Sequence, residues 1–122
     1  MKDFINACLR TECDYKDVKI NPRLNHSIMG IQTEAGELTD AFKKSWFYKQ
    51  PLDLVNVKEE IGDILYYLAI LCDELGTDFD TEMVRVIKKL EIRYPEKFTT
   101  KNAIDRDLSK ERASLNETNQ NI

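Results

Sequence analysis

Apolar residues recur every three or four positions in three stretches between residues 24 and 94, and this spacing most constrains the fold. Steps of three and four place side chains along one face of an α-helix, whereas a half-buried strand needs steps of two. The stretches are Leu24, Ile28, Ile31, Ala35, Leu38 and Phe42; Leu54, Val57, Ile61, Ile64, Leu68, Leu71 and Leu75; and Phe79, Met83, Val86, Leu90 and Tyr94. The sequence therefore predicts three helices, each with one apolar face.

Turn-forming residues mark the ends of these helices. Pro22 separates a short predicted helix over residues 3–14 from the first long helix. Gly76 is placed to end the second long helix, and Asp78 or Asp80 is placed to cap the third. Because the links between the helices are short, the expected fold is all-α, of the antiparallel four-helix-bundle type.

The composition becomes polar near residue 100. Residues 1–100 are expected to form the helical domain, and residues 101–122 a C-terminal arm that is partly helical or frayed. No stretch has the apolar length of a signal peptide or a transmembrane helix, and the three cysteines follow no disulfide or zinc pattern. With a net charge of −4, these features predict a cytoplasmic protein that binds neither membranes nor nucleic acid.

Two pairs of carboxylates, Glu34 with Glu37 and Glu60 with Asp63, lie beside the apolar faces of the two long helices. Their spacing alone carries no information, because chance predicts about four acidic pairs three residues apart in this composition and four occur. Their position is informative, since the flank that carries Glu60 and Asp63 continues into Tyr67 and not into charged residues. A solvated face would not usually become apolar in this way.

We expect the two pairs to face each other across adjacent helices, which would bring four like charges together beside the core. Such charges repel unless a cation compensates them, and oxygen-only ligands favour Mg²⁺, with Mn²⁺ as the alternative. The flank of the first pair also carries Ser27, Gly30 and Ala41, and these small residues are expected to leave room for a ligand. A ferritin-like di-iron site is disfavoured, because it needs Glu-x-x-His and His26 is the single histidine.

The chain resembles the MazG-like nucleotide pyrophosphohydrolases, which are all-α NTP pyrophosphatases, and within them the short single-domain members of phages and bacteria. The resemblance is carried by three stretches: "TEAGELTDAFKK", "VNVKEEIGDILYYLA" and "KKLEIRYPEKF". It covers roughly residues 20–115. The family pattern of ExxE on one helix and ExxD on the next falls on Glu34, Glu37, Glu60 and Asp63.

The resemblance implies a fold, an assembly and a reaction. The implied protein is a four-helix bundle that works as a homodimer or homotetramer. It would use Mg²⁺ to hydrolyse a nucleoside triphosphate to the monophosphate and pyrophosphate, and so clean the nucleotide pool. The four carboxylates would be the catalytic metal ligands, and Lys89 and Arg93 match family positions that contact phosphate.

Other features bear on the substrate. His26 and Trp46 are further candidates for contacts to the nucleotide, the latter by stacking on a base, although an exposed surface or a subunit interface explains them equally simply. Position 33 is Thr33 where related chains often carry a further Glu, and Val86 stands where they often carry an Asn. Two alternatives stay open: a pyrophosphohydrolase for an unusual nucleotide such as an alarmone, and a non-catalytic helical oligomerisation or binding module.

Overall fold

The computed structural model describes residues 2–117, and the all-α prediction is confirmed, because this part of the chain contains helices and no strand. The helices are α1 (Lys2–Leu9), α2 (Pro22–Tyr48), α3 (Leu54–Leu75), α4 (Phe79–Arg93), α5 (Thr100–Ile104) and α6 (Leu108–Glu117). The predicted first helix, over residues 3–14, is too long. It ends at Leu9 because Thr11 donates from both its backbone nitrogen and its hydroxyl to the carbonyl of Cys8.

Side-chain caps set the ends of the long helices. Asn21, Asp53 and Asp78 each precede a helix, and their side chains accept hydrogen bonds from backbone N–H groups of the first turn. Gly76 ends α3 in the left-handed conformation, with φ at 67°. The predicted caps at Gly76 and Asp78 are therefore confirmed.

Helices α2 and α3 form an antiparallel pair with a repeating register. Arg23 of α2 forms an ion pair with Glu74 of α3 at 3.1 Å. Gly30 follows Arg23 by seven residues on α2, and Tyr67 precedes Glu74 by seven residues on α3. Gly30 lies against the ring of Tyr67. Seven residues is close to two helical turns, so the same faces meet again at each step. The next step brings position 37 of α2 opposite position 60 of α3.

Small residues of α2 lie at its contact with α3. Ser27 and Gly30 are both buried, and the Ser27 hydroxyl donates to the carbonyl of Arg23 at 2.9 Å. A Cβ atom on Gly30 would lie 2.3 Å from the ring of Tyr67. At Gly30 the expectation that a small residue leaves room for a ligand is therefore wrong, because the Tyr67 ring fills that space.

The C-terminal helix α6 packs against α4. Glu111 of α6 is buried and accepts hydrogen bonds from the guanidinium groups of Arg93 and Arg106. Arg93, and then Arg106, lower the pKa of Glu111 to about 2. Arg85 adds a hydrogen bond to the carbonyl of Leu115. Of the predicted arm over residues 101–122, α5 and α6 are thus helical, whereas residues 118–122 lie outside the described part.

The single chain leaves most of its apolar surface exposed. Among the described residues, no apolar side chain is fully buried, and the buried polar ones are Ser27, Glu60, Glu111 and Ser114. The principal helix contacts are between α2 and α3 and between α4 and α6. Each of these two pairs therefore presents apolar side chains that its own partner helix does not cover.

Within residues 2–117, none of the helices combines the length and the apolar character that crossing a membrane requires.

We predict that Gly30→Ala destabilises the protein, because the new methyl group overlaps the Tyr67 ring and forces the helices apart. The expected loss is about 1–3 kcal/mol of unfolding free energy, measured by urea denaturation at fixed protein concentration. Gly36→Ala is the matched control, since a Cβ there meets nothing within 4 Å. It should stabilise α2 by up to about 1 kcal/mol. Equal effects of the two substitutions would contradict the close contact at Gly30.

Candidate metal centre

Three carboxylates converge where α2 and α3 meet. Glu34 and Glu37 project from α2 and Glu60 projects from α3, and one oxygen atom of each lies within 4.8 Å of the others. The convergence follows from the register, because the heptad step from Gly30 and Tyr67 leads to Glu37 opposite Glu60. Glu34 lies one turn from Glu37 on the same face of α2.

The three carboxylates differ in their access to solvent. Glu60 has only 3% of its surface exposed, Glu34 is half-buried and Glu37 is exposed. Burial raises the pKa of Glu34, and the neighbouring charge of Glu37 raises it further, with smaller contributions from Glu60 and Asp63. A hydrogen bond from the Thr33 hydroxyl opposes this rise. The centre is therefore a concentration of negative charge that costs folding free energy.

Asp63, the fourth predicted carboxylate, is not one of the three that converge. Its side chain is exposed, and it lies one turn along α3 from Glu60. It is close enough to contribute to the raised pKa of Glu34. The structure thus brings together three of the four predicted metal ligands and places the fourth at the edge of the cluster.

The donor set fits a hard divalent cation. All three converging ligands are carboxylates, which Mg²⁺ and Mn²⁺ accept and which zinc sites rarely use alone. No histidine takes part, since the ring of His26 instead meets the edge of Tyr67 with 5.5 Å between ring centroids. A cation bound to Glu34, Glu37 and Glu60 would also remove the repulsion that raises the pKa of Glu34.

Asn56 is a residue of the site that the sequence interpretation missed. Its amide nitrogen donates a hydrogen bond of 2.5 Å to an oxygen of Glu60, four residues further along α3. The signal was present as the i,i+4 spacing of an amide and a carboxylate on one helix. This spacing alone does not predict the contact, because asparagine is common near the start of a helix for reasons of capping.

Most of the predicted substrate-binding residues have other partners than the cluster. Among the described residues, no hydrogen bond or ion pair joins Lys89, Arg93, His26 or Trp46 to the three carboxylates. Arg93 is bonded to Glu111 on α6, and Lys89 is half-buried on α4. Trp46 has 71% of its surface exposed, and its ring lies 5.2 Å from that of Phe42. His26 is the one that approaches α3, through Tyr67.

We predict that Glu60→Gln removes the stabilisation of the protein by Mg²⁺. In EDTA the substitution should leave the melting temperature unchanged or raise it, because it relieves repulsion within the cluster. When Mg²⁺ is added, the wild type should gain about 2.7 kcal/mol at a concentration one hundred times the dissociation constant, whereas Glu60→Gln should gain nothing.

The matched control for this experiment is Glu59→Gln. Glu59 is the neighbouring residue and its side chain is exposed, so the variant should respond to Mg²⁺ like the wild type. Thermal unfolding followed by circular dichroism gives the readout. A Glu60→Gln variant that Mg²⁺ still stabilises fully would show that the cation binds elsewhere.

A comparison with known protein families identifies the part of the chain that contains the candidate metal centre. A family profile described as the MazG nucleotide pyrophosphohydrolase domain matches residues 25–98, a range that contains Glu34, Glu37, Glu60 and Asp63. Comparisons with curated proteins and with solved structures found no match. The profile covers more than half of the chain, which therefore belongs to the MazG nucleotide pyrophosphohydrolase domain family.

Proposed function

We propose that this protein is a Mg²⁺-dependent nucleoside triphosphate pyrophosphohydrolase. It would cleave the bond between the α and β phosphates and release a nucleoside monophosphate and pyrophosphate. The observation that carries the proposal is the convergence of Glu34, Glu37 and Glu60 within 4.8 Å inside a domain of the MazG family. The acidic centre would repel an anionic polyphosphate in the absence of a cation, so the proposal requires the cation.

The three converging carboxylates would hold the cation, and Asp63 would bind it from the edge of the cluster or through water. Once bound, Mg²⁺ supplies positive charge to the polyphosphate and Lewis acidity to the reaction. Glu37 is the exposed member of the three, and we assign it the task of orienting the attacking water and accepting its proton. The water would approach the α-phosphorus in line with the leaving pyrophosphate.

The proposed substrate contacts lie on α4 and near the ends of α2. Lys89 and Arg93 would bind phosphate oxygens, and His26 and Trp46 would contact the base or the sugar. For Arg93 this requires that a phosphate replace Glu111 at its guanidinium group, since the two residues are now joined by two hydrogen bonds. Such an exchange keeps the arginine paired with an anion.

The role that follows is control of the nucleotide pool, by removal of a triphosphate that the cell must not incorporate or accumulate. We propose the cytoplasm as its location, because nucleoside triphosphates are made and used there. The substrate would be a canonical, noncanonical or signalling nucleotide. A direct screen of nucleotides would identify the one that is hydrolysed. An alarmone remains the principal alternative to an ordinary NTP or dNTP.

We also propose that the active form is a homodimer or a homotetramer. The accessible surface is 10297 Å², whereas a compact monomer of 14.3 kDa is expected to expose about 6,800 Å². Large apolar side chains of α2, α3 and α4 are among the exposed residues. Obligate subunit interfaces bury apolar surface on this scale, and a second copy of the chain would cover these faces.

We predict pyrophosphate release from one or a few members of a panel of NTPs and dNTPs, including dUTP and oxidised purines. Release should require Mg²⁺ and stop in EDTA. Glu60→Gln should lower the rate by at least about 100-fold, whereas Glu59→Gln should retain it. If the wild type is folded, binds Mg²⁺ and releases no pyrophosphate from this panel or from alarmones, the non-catalytic module becomes the better account.

The assembly has its own test in analytical ultracentrifugation. We predict that the protein sediments as a dimer or tetramer at micromolar concentration, because the exposed apolar faces of α2 and α3 need a cover. A single species with the mass of one chain, 14.3 kDa, would contradict the proposed assembly.

A further inference from the structure

Two carboxylates are almost completely buried in the described part of the chain, and they are neutralised differently. Glu60 and Glu111 each have 3% of their surface exposed. Glu111 accepts hydrogen bonds from two arginines. The donor to Glu60 is the neutral amide of Asn56, and among residues 2–117 no lysine or arginine forms an ion pair with Glu60.

A neutral donor next to Glu60 does not repel a cation, whereas a cationic donor would. An arginine or lysine next to Glu60 would cancel its charge and would repel an incoming divalent cation. The Asn56 amide satisfies one oxygen of the buried carboxylate and limits its rotation, and it brings no positive charge of its own. The same carboxylate offers an oxygen that lies within 4.8 Å of oxygens of Glu34 and Glu37.

We infer that Asn56 is a positioning residue for the cation: it orients Glu60 through the hydrogen bond and sets the affinity of the centre for Mg²⁺ or Mn²⁺. The inference rests on the metal centre of the proposed function, but it assigns to Asn56 a role outside the ExxE and ExxD pattern. Residues that hold a metal ligand in place typically change metal affinity by about 10–100-fold when they are replaced.

The position of Asn56 on its helix suits this role. Asn56 is half-buried and stands one turn before Glu60, so both side chains lie on the same face of α3. The backbone nitrogen of Asn56 is already held by the cap residue Asp53. A change of the Asn56 side chain therefore leaves the helix cap in place and alters the contact with Glu60 selectively.

The test is direct binding of Mn²⁺ to the full chain, measured from the electron paramagnetic resonance signal of the free ion. Asn56→Leu removes the amide and keeps the approximate volume, and Asn56→Ala is a second variant without a donor that favours the helix. Asn56→Gln keeps the amide. Asn25→Leu is the matched control, because Asn25 is an exposed asparagine of α2 whose amide contacts the sulfur of Met29.

We expect Asn56→Leu and Asn56→Ala to raise the Mn²⁺ dissociation constant by about tenfold, with an unchanged circular dichroism spectrum. Asn56→Gln should stay within about threefold of the wild type, because a glutamine amide can still reach a carboxylate four residues away. Asn25→Leu should bind Mn²⁺ like the wild type. The inference is overturned if the variants without a donor keep wild-type affinity, or if Asn56→Gln binds as weakly as Asn56→Leu.

The same variants separate this inference from the proposed function. If wild-type protein releases pyrophosphate while Asn56→Leu keeps full Mn²⁺ affinity, the inference fails and the function stands. If Asn56→Leu loses affinity while the wild type hydrolyses no nucleotide, the function fails and the inference stands. A wild type that binds no Mn²⁺ overturns the role of Asn56 together with the metal centre.

Discussion

The structure depends on the antiparallel contact between α2 and α3, in which Gly30 leaves no room for a Cβ atom beside the ring of Tyr67. This contact fixes the register of the two helices, and the ion pair between Arg23 and Glu74 holds the same register one heptad away. Once the register is set, Glu37 must lie opposite Glu60. The convergence of carboxylates is therefore a consequence of helix packing, and a slip of one residue would disperse it.

This arrangement places like charges close together at a partly buried position. Burial and the charge of Glu37 raise the pKa of Glu34, so the metal-free centre works against folding. Elsewhere the chain pairs its acids with bases, as Arg93 and Arg106 do for Glu111. Glu60 differs from Glu111 in that its hydrogen-bond donor is the neutral amide of Asn56, which is the arrangement that the proposed cation site requires.

Much of this organisation is predictable from the sequence, because it depends on local rules. Apolar periodicity predicts the three long helices, and Gly76 and Asp78 act at their ends as helix caps usually do. The function of the small residues was not predictable, since a small side chain suits both a ligand and an aromatic ring from another helix. The ring of Tyr67 takes the space beside Gly30. The pairing of Arg93 with Glu111 is similarly a contact between distant parts of the chain, and no local pattern indicates it.

The most direct test of the metal centre is X-ray diffraction from crystals grown with Mn²⁺, with data collected at the manganese absorption edge. The account predicts an anomalous difference peak between the carboxylates of Glu34, Glu37 and Glu60, with the amide of Asn56 still bonded to Glu60. A peak elsewhere on the protein, or no peak at a saturating Mn²⁺ concentration, would contradict the claim that the α2–α3 register builds a cation site.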